Sequence, residues 1–195
     1  MTIADDLDYA VGMVLPHMKR KLVKFTSTNE LLSALANCKK EHGHFQVIAV
    51  VGHSNKNGIR LAKDRFEKWA VFAKWIEVFQ PSCCVFIACE AGRWLPCRAM
   101  FEGIKSLKEV YGAPSRLKKT QVATPILLIL YLLSGGRVTP KIWTWVQPLV
   151  FVLTQALLFR QTRQNFLRAG SEEGIIWTGL EELIKKLTAP VSSSE

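Results

Sequence analysis

The sequence predicts an α/β fold in which helices flank a mostly parallel sheet, followed by an apolar helical hairpin. Three observations carry this expectation. The runs VIAVV (Val47–Val51) and CVFIA (residues 84–88) are short and strongly apolar, and each is followed within a few residues by Gly, the pattern of strands buried on both faces. Between them, residues 64–80 (DRFEKWAVFAKWIEVFQ) place Phe66, Trp69, Phe72, Ala73, Ile76 and Phe79 at helical spacing before Pro81, which ends a helix. A strand, helix, strand unit with so long a crossover makes its two strands parallel and close neighbours. Finally, residues 122–133 and 142–159 are apolar and flank Ser134-Gly-Gly-Arg-Val-Thr-Pro-Lys141, a turn by its Gly and Pro content.

The remaining elements follow in order. Residues 5–19 read as a short helix, and residues 21–26 (KLVKFT) as a first strand. Ser27-Thr-Asn-Glu30 supplies caps for a helix through Leu31, Leu32, Leu35 and Cys38. Residues 58–62 suggest a small strand or hairpin after the first buried run. Residues 94–107 read as a helix despite Pro96, and residues 109–114 as a strand or turn. The resulting alternation is a small α/β layer. Residues 174–184 have amphipathic spacing suited to the domain surface or to lipid. The expected division is an α/β domain at 1–115, an apolar hairpin at 116–169 and an amphipathic tail at 170–195.

Composition narrows the classes. At 195 residues the chain holds one ordinary domain with an addition. Five cysteines without repeating spacing, and no cleavable leader pattern, fit a reducing compartment and no disulfides. The net charge of +10 is spread along the chain without a nucleic-acid motif, which argues against nucleic acid as a partner. Its marked cluster instead flanks the apolar region: Arg116, Lys118 and Lys119 before it, Arg160, Arg163 and Arg168 after it. Together with Trp143 and Trp145 these charges fit a membrane hairpin whose lipid contacts run through residues 121–159, with the N-terminal domain and the tail in the cytoplasm. The soluble alternative makes the two stretches core helices or an oligomer interface, since a helix apolar all round is buried in either protein or lipid.

The two buried runs lead to His53 and Cys89. In open α/β sheets ligands bind beyond the carboxyl ends of the strands, so these side chains stand where chemistry is done. A cysteine at a strand end is commonly a small buried hydrophobe, and Cys38, Cys83, Cys84 and Cys97 read that way. His17, His42 and His44 read as surface or turn groups. It is the pairing of His53 with Cys89 at two comparable strand ends that raises a functional reading. Cys83, Cys84, Cys89 and Cys97 lack the paired C-x-x-C spacing of zinc sites, and no Gly-Lys-Ser/Thr follows Gly52 or Gly58. No metal or cofactor is expected.

Gly52-His53 after one apolar block, and Ala88-Cys89-Glu90-Ala91-Gly92 after the next, resemble the caspase-like cysteine peptidases, including the CHAT group, over residues 21–112. The resemblance implies that Cys89 attacks a scissile carbonyl as thiolate and that His53 transfers the proton to the leaving amine. It also implies oxyanion stabilisation by the backbone N–H groups of Ser54 and Cys89. Ser54 departs from the glycine that usually follows the histidine, which bears on the backbone angle there, and Glu90 would oppose a thiolate if it pointed inward. The expected activity is therefore a membrane-anchored thiol protease acting on a protein or peptide. The alternative is a catalytically idle caspase-like interaction module tethered to the membrane.

Overall fold

The computed structural model describes residues 5, 8, 9, 11, 12, 19–62, 65–116 and 159–172. Helix α1 (Thr28–His42) starts where the capping residues predict. The Ser27 hydroxyl accepts the Glu30 N–H at 3.2 Å, and the Glu30 carboxylate accepts the Thr26 N–H at 2.7 Å, a reciprocal cap that satisfies donors with no partner inside the helix. Thr26 thereby holds the Glu30 carboxyl below its ordinary value. Residues 21–26, expected as the first strand, make no ladder. Of these, Lys21, Leu22, Val23 and Phe25 instead line an apolar groove of about 210 Å3 that also takes in residues 47–51, so Leu22, Val23 and Phe25 contribute apolar surface without backbone pairing.

Strand β1 (Val47–Val51) pairs in parallel with β5 (Cys83–Ile87), in a register running from Val47 opposite Cys83 to Val51 opposite Ile87. Between them the chain forms a three-stranded antiparallel sheet of β2 (His53–Asn55), β3 (Gly58–Ala62) and β4 (Arg65–Lys68), then helix α2 (Trp69–Glu77). The helix expected over 64–80 is thus shorter, because residues 65–68 are captured by the ladder to β3. Phe66, placed by helical spacing on the buried face, is 51% exposed. At the other end the chain leaves the helix before Pro81, through Gln80 in the left-handed region.

Helix α3 (Trp94–Gly103) carries Pro96 in its first turn, where the missing N–H would have no helical partner in any case. Strand β6 (Glu109–Gly112) then extends the parallel ladder beside β5. The sheet does not end there. Strand β7 (Phe159–Thr162) pairs antiparallel with β6, Gly112 opposite Phe159, and leads into helix α4 (Arg163–Ala169). The α/β unit therefore continues beyond residue 115 and takes in residues 159–169 from the stretch expected to form the hairpin. The four-stranded order is β1-β5-β6-β7, with three strands parallel.

All five residues of β5 are buried, as expected for a strand covered on both faces. On one face Cys84, Phe86 and Val110 join Trp69, Phe72, Met100, Phe101 and Phe166 in the main core. Trp69 meets Phe86 edge to face with centroids 5.2 Å apart, and Trp94 stacks on Phe166 at 4.3 Å, contacts worth roughly 1 kcal/mol each beyond area burial. On the opposite face Tyr111 donates to Glu109 at 2.8 Å, and Arg160 pairs with the same carboxylate.

Arg160 and Arg163, read from sequence as part of a basic flank, are thus built into the fold. The Arg163 guanidinium donates to the carbonyls of Leu107 and Phe101, each at 2.7 Å, and of Ile104, and lies 5.4 Å from the Phe101 ring centroid. Its bond to Phe101 satisfies a carbonyl in the last turn of α3 that has no partner within the helix. Among the described residues no helix is long and apolar enough to cross a membrane. The apolar residues 121–158 and the tail segment 174–184 lie outside the described residues. Replacing Arg163 by Met should leave buried carbonyls unpaired and lower the unfolding free energy by about 2–3 kcal/mol, read as a fall in the denaturant midpoint at unchanged slope.

Candidate active site

The last paired residues of β1 and β5 are Val51 and Ile87. His53 and Cys89 each lie two residues beyond that pair in the chain, His53 as the first residue of β2 and Cys89 in the turn that follows β5. The Gly52 N–H donates to the Ile87 carbonyl at 3.2 Å, so the strand ends stay joined up to the residue before His53. Both sequence-predicted side chains are therefore on one rim. His53 is exposed and Cys89 half-buried.

What holds the rim is a set of bonds between the two connections. Ser54 is in strand β2, outside the left-handed region, so the departure from glycine after the histidine carries no backbone strain. Its hydroxyl donates to the carbonyl oxygen of Cys89 itself. The Lys56 N–H donates to Glu90 Oε2 at 3.0 Å, which directs that carboxylate toward the β2–β3 turn. Glu90 adopts φ +59°, a left-handed conformation costing roughly 1–2 kcal/mol for a residue with a side chain. Its N–H bond to the Ser115 carbonyl at 3.1 Å and the Lys56 contact fix it there.

The histidine side is equally constrained. Asn55 Oδ1 accepts the N–H groups of Asn57 and Gly58 at 2.8 and 3.1 Å, closing the turn with its side chain. Its carbonyl accepts Trp69 Nε1 at 2.9 Å, which ties the turn to the start of α2. On the cysteine side, Gly92 donates to the Ala113 carbonyl at 2.8 Å and Arg93 Nε to that of Pro114 at 2.9 Å. A Cβ on Gly92 would overlap the Gly112 carbonyl, and one on Gly112 would come within 2.7 Å of the Gly92 nitrogen. Only glycine fits on either side of this contact.

Sequence reasoning placed His53, Ser54 and Cys89 but missed Asn55, Trp69, Gly112 and the carbonyls of residues 113–115 as supports. The Asn55-Lys-Asn-Gly58 string carries a turn signal; the others acquire their roles only through tertiary contacts. Opposite His53 in the β2–β3 ladder stands Arg60, and opposite Arg60 in the next strand stands Phe66. All three are exposed, forming a row beside the rim. Among the described residues no three His, Cys, Asp or Glu side chains gather as a metal site. No family model matches the chain, and no curated protein matches it either.

None of the five cysteines is in a disulfide, and all but Cys89 are buried. Burial pushes the Cys97 thiol up from 9.0 to about 12, and pushes Cys83 and Cys84 up as well. A water-soluble alkylating reagent at neutral pH should therefore modify Cys89 in the native protein and leave the other four largely unmodified until denaturant is added, as peptide mapping will show. The same burial sets an alkaline limit. Thiols near 9.0 in the unfolded chain lose protons before their buried counterparts, so the unfolded state binds fewer protons and stability falls as the pH rises from about 9 to 12. Burial and the neighbouring Glu109 charge raise Tyr111 from 10.0 and add to the loss. Unfolding followed across that range should show the decline, with a shallower slope in Cys97→Ala.

Proposed function

We propose that this chain is a membrane-anchored caspase-like cysteine peptidase, with its α/β domain facing the cytoplasm, that cleaves a protein or peptide substrate through His53 and Cys89. The observation that carries the reading is the placement of these residues at equal offsets beyond adjacent parallel strands, with Ser54 bonded to the Cys89 carbonyl. The caspase-like motif supplies the chemistry, and the apolar residues 121–158 supply the anchor.

In this reading Cys89 Sγ attacks the scissile carbonyl as thiolate, forming a carbon–sulfur bond and a tetrahedral oxyanion. Collapse expels the amine, which takes a proton from the His53 imidazolium. Neutral His53 then accepts a proton from water as it attacks the thioester, and breakdown releases the acid and restores the thiol. The N–H groups of Ser54 and Cys89 are the proposed oxyanion donors, useful because their charge stabilisation grows as the transition state forms. Orientation of the Glu90 carboxylate toward the Lys56 N–H supports the scheme, since a directed carboxylate opposes the thiolate less than one aimed at sulfur.

A second reading, a catalytically idle module that binds a partner at the membrane, draws on Ser54. Its hydroxyl occupies space beside Cys89 that glycine would leave open. A thiol-reactive peptidyl probe separates the two. The peptidase reading expects labelling lost in Cys89→Ala, slowed by about 10²-fold or more in His53→Ala, and retained in Ser54→Gly. Equal labelling of wild type and His53→Ala would leave the idle module standing.

A further inference from the structure

We propose that the rim carrying His53 and Cys89 lies against the membrane surface, and that its substrates are membrane-inserted proteins cut in an extended stretch next to the bilayer. The proposal rests on the peptidase and anchor reading above and adds where the site points and what can reach it. Strands β1, β5 and β6 are parallel, so Val51, Ile87 and Gly112 all end at one rim. Antiparallel β7 begins at that same rim, Phe159 opposite Gly112. The described chain therefore departs at Arg116 and returns at Phe159 on the side where the dyad stands.

The connections are short. On the outgoing leg Ser115 accepts the N–H of Glu90, the residue after the nucleophile. Only residues 116–121 (RLKKTQ) separate it from the apolar stretch, a reach of at most about 20 Å. On the return leg the apolar stretch 142–159 runs into β7 without any linker, Phe159 being the last residue of one and the first of the other. An anchor embedded in lipid leaves this rim no freedom to face away from the surface.

Charge on the rim fits the same orientation. Lys56, Arg60 and Arg116 are exposed there, and Lys118 and Lys119 follow in the outgoing leg. Basic groups near an anionic leaflet are drawn to it. A site so held meets peptide tethered close to the bilayer at high effective concentration, and a strand-end nucleophile needs that peptide extended and unpaired.

Two measurements test the proposal on the full chain in phosphatidylcholine and phosphatidylserine vesicles. First, an environment-sensitive fluorophore is attached either to Cys89 or, in a Cys89→Ala background, to Lys108→Cys, which lies just before β6 at the opposite end of the sheet, roughly 20 Å away. A headgroup-nitroxide lipid should quench the Cys89 label several-fold more than the Lys108→Cys label. Equal or reversed quenching, or failure of the chain to float with the vesicles, would overturn the placement. Second, a randomised peptide library is anchored to the same vesicles by a two- or three-residue tether, or by a flexible Gly-Ser linker of about thirty residues spanning roughly 30 Å. Cleavage about tenfold faster with the short tether is expected; faster cleavage with the long one would overturn the substrate assignment. Cleavage with neither would sink the peptidase reading and with it the substrate, while the quenching result still decides the placement.

Discussion

The backbone of Gly92 passes so close to that of Gly112 that neither position has room for a side-chain carbon, and much of the molecule hangs on this contact. It lets the turn after Cys89 lie against the end of β6. That in turn allows the bonds from Glu90, Gly92 and Arg93 to the carbonyls of residues 113–115. The nucleophile candidate is thus positioned by a neighbouring strand end as well as by its own strand. Because β5 is buried along its full length, the turn is built on a support that cannot shift without opening the core.

The histidine arrives on a different kind of support. It begins a short antiparallel sheet whose geometry depends on two polar groups, the Asn55 side chain that closes the turn and the Trp69 indole that fixes it to α2. Such small sheets are marginal by themselves, so these bonds and the Ser54 and Lys56 contacts to the cysteine turn give the rim its order. The serine that departs from the caspase-like pattern therefore bridges the two halves of the proposed site.

Much of this was legible in the sequence for a physical reason. A strand buried on both faces must be apolar throughout and must end abruptly, so Val47–Val51 and the run before Cys89 announced themselves, and their parallel pairing followed from the length between them. Capping chemistry likewise fixed the start of α1 within the Ser27 to Glu30 string. Failures came where one pattern serves two structures. Phe66 and Trp69 share helical spacing, yet the ladder to β3 claims the first and the helix the second. Residues 21–26 have strand composition but lie along a groove without a ladder partner. Phe159–Thr162 extends an apolar stretch without a break, and only its pairing with β6 marks it as the sheet's last strand. Arg163 resembles any basic flank until three carbonyls converge on it.

That last strand has a consequence for synthesis. β7 and α4 are encoded after the apolar stretch, while every strand they complete is encoded before it. A chain emerging from the ribosome presents β1 to β6 first and leaves one edge of β6 and the carbonyls at the end of α3 waiting. The sheet closes only when residues 159–169 have been made. The final strand can therefore dock only after the apolar stretch has left the ribosome.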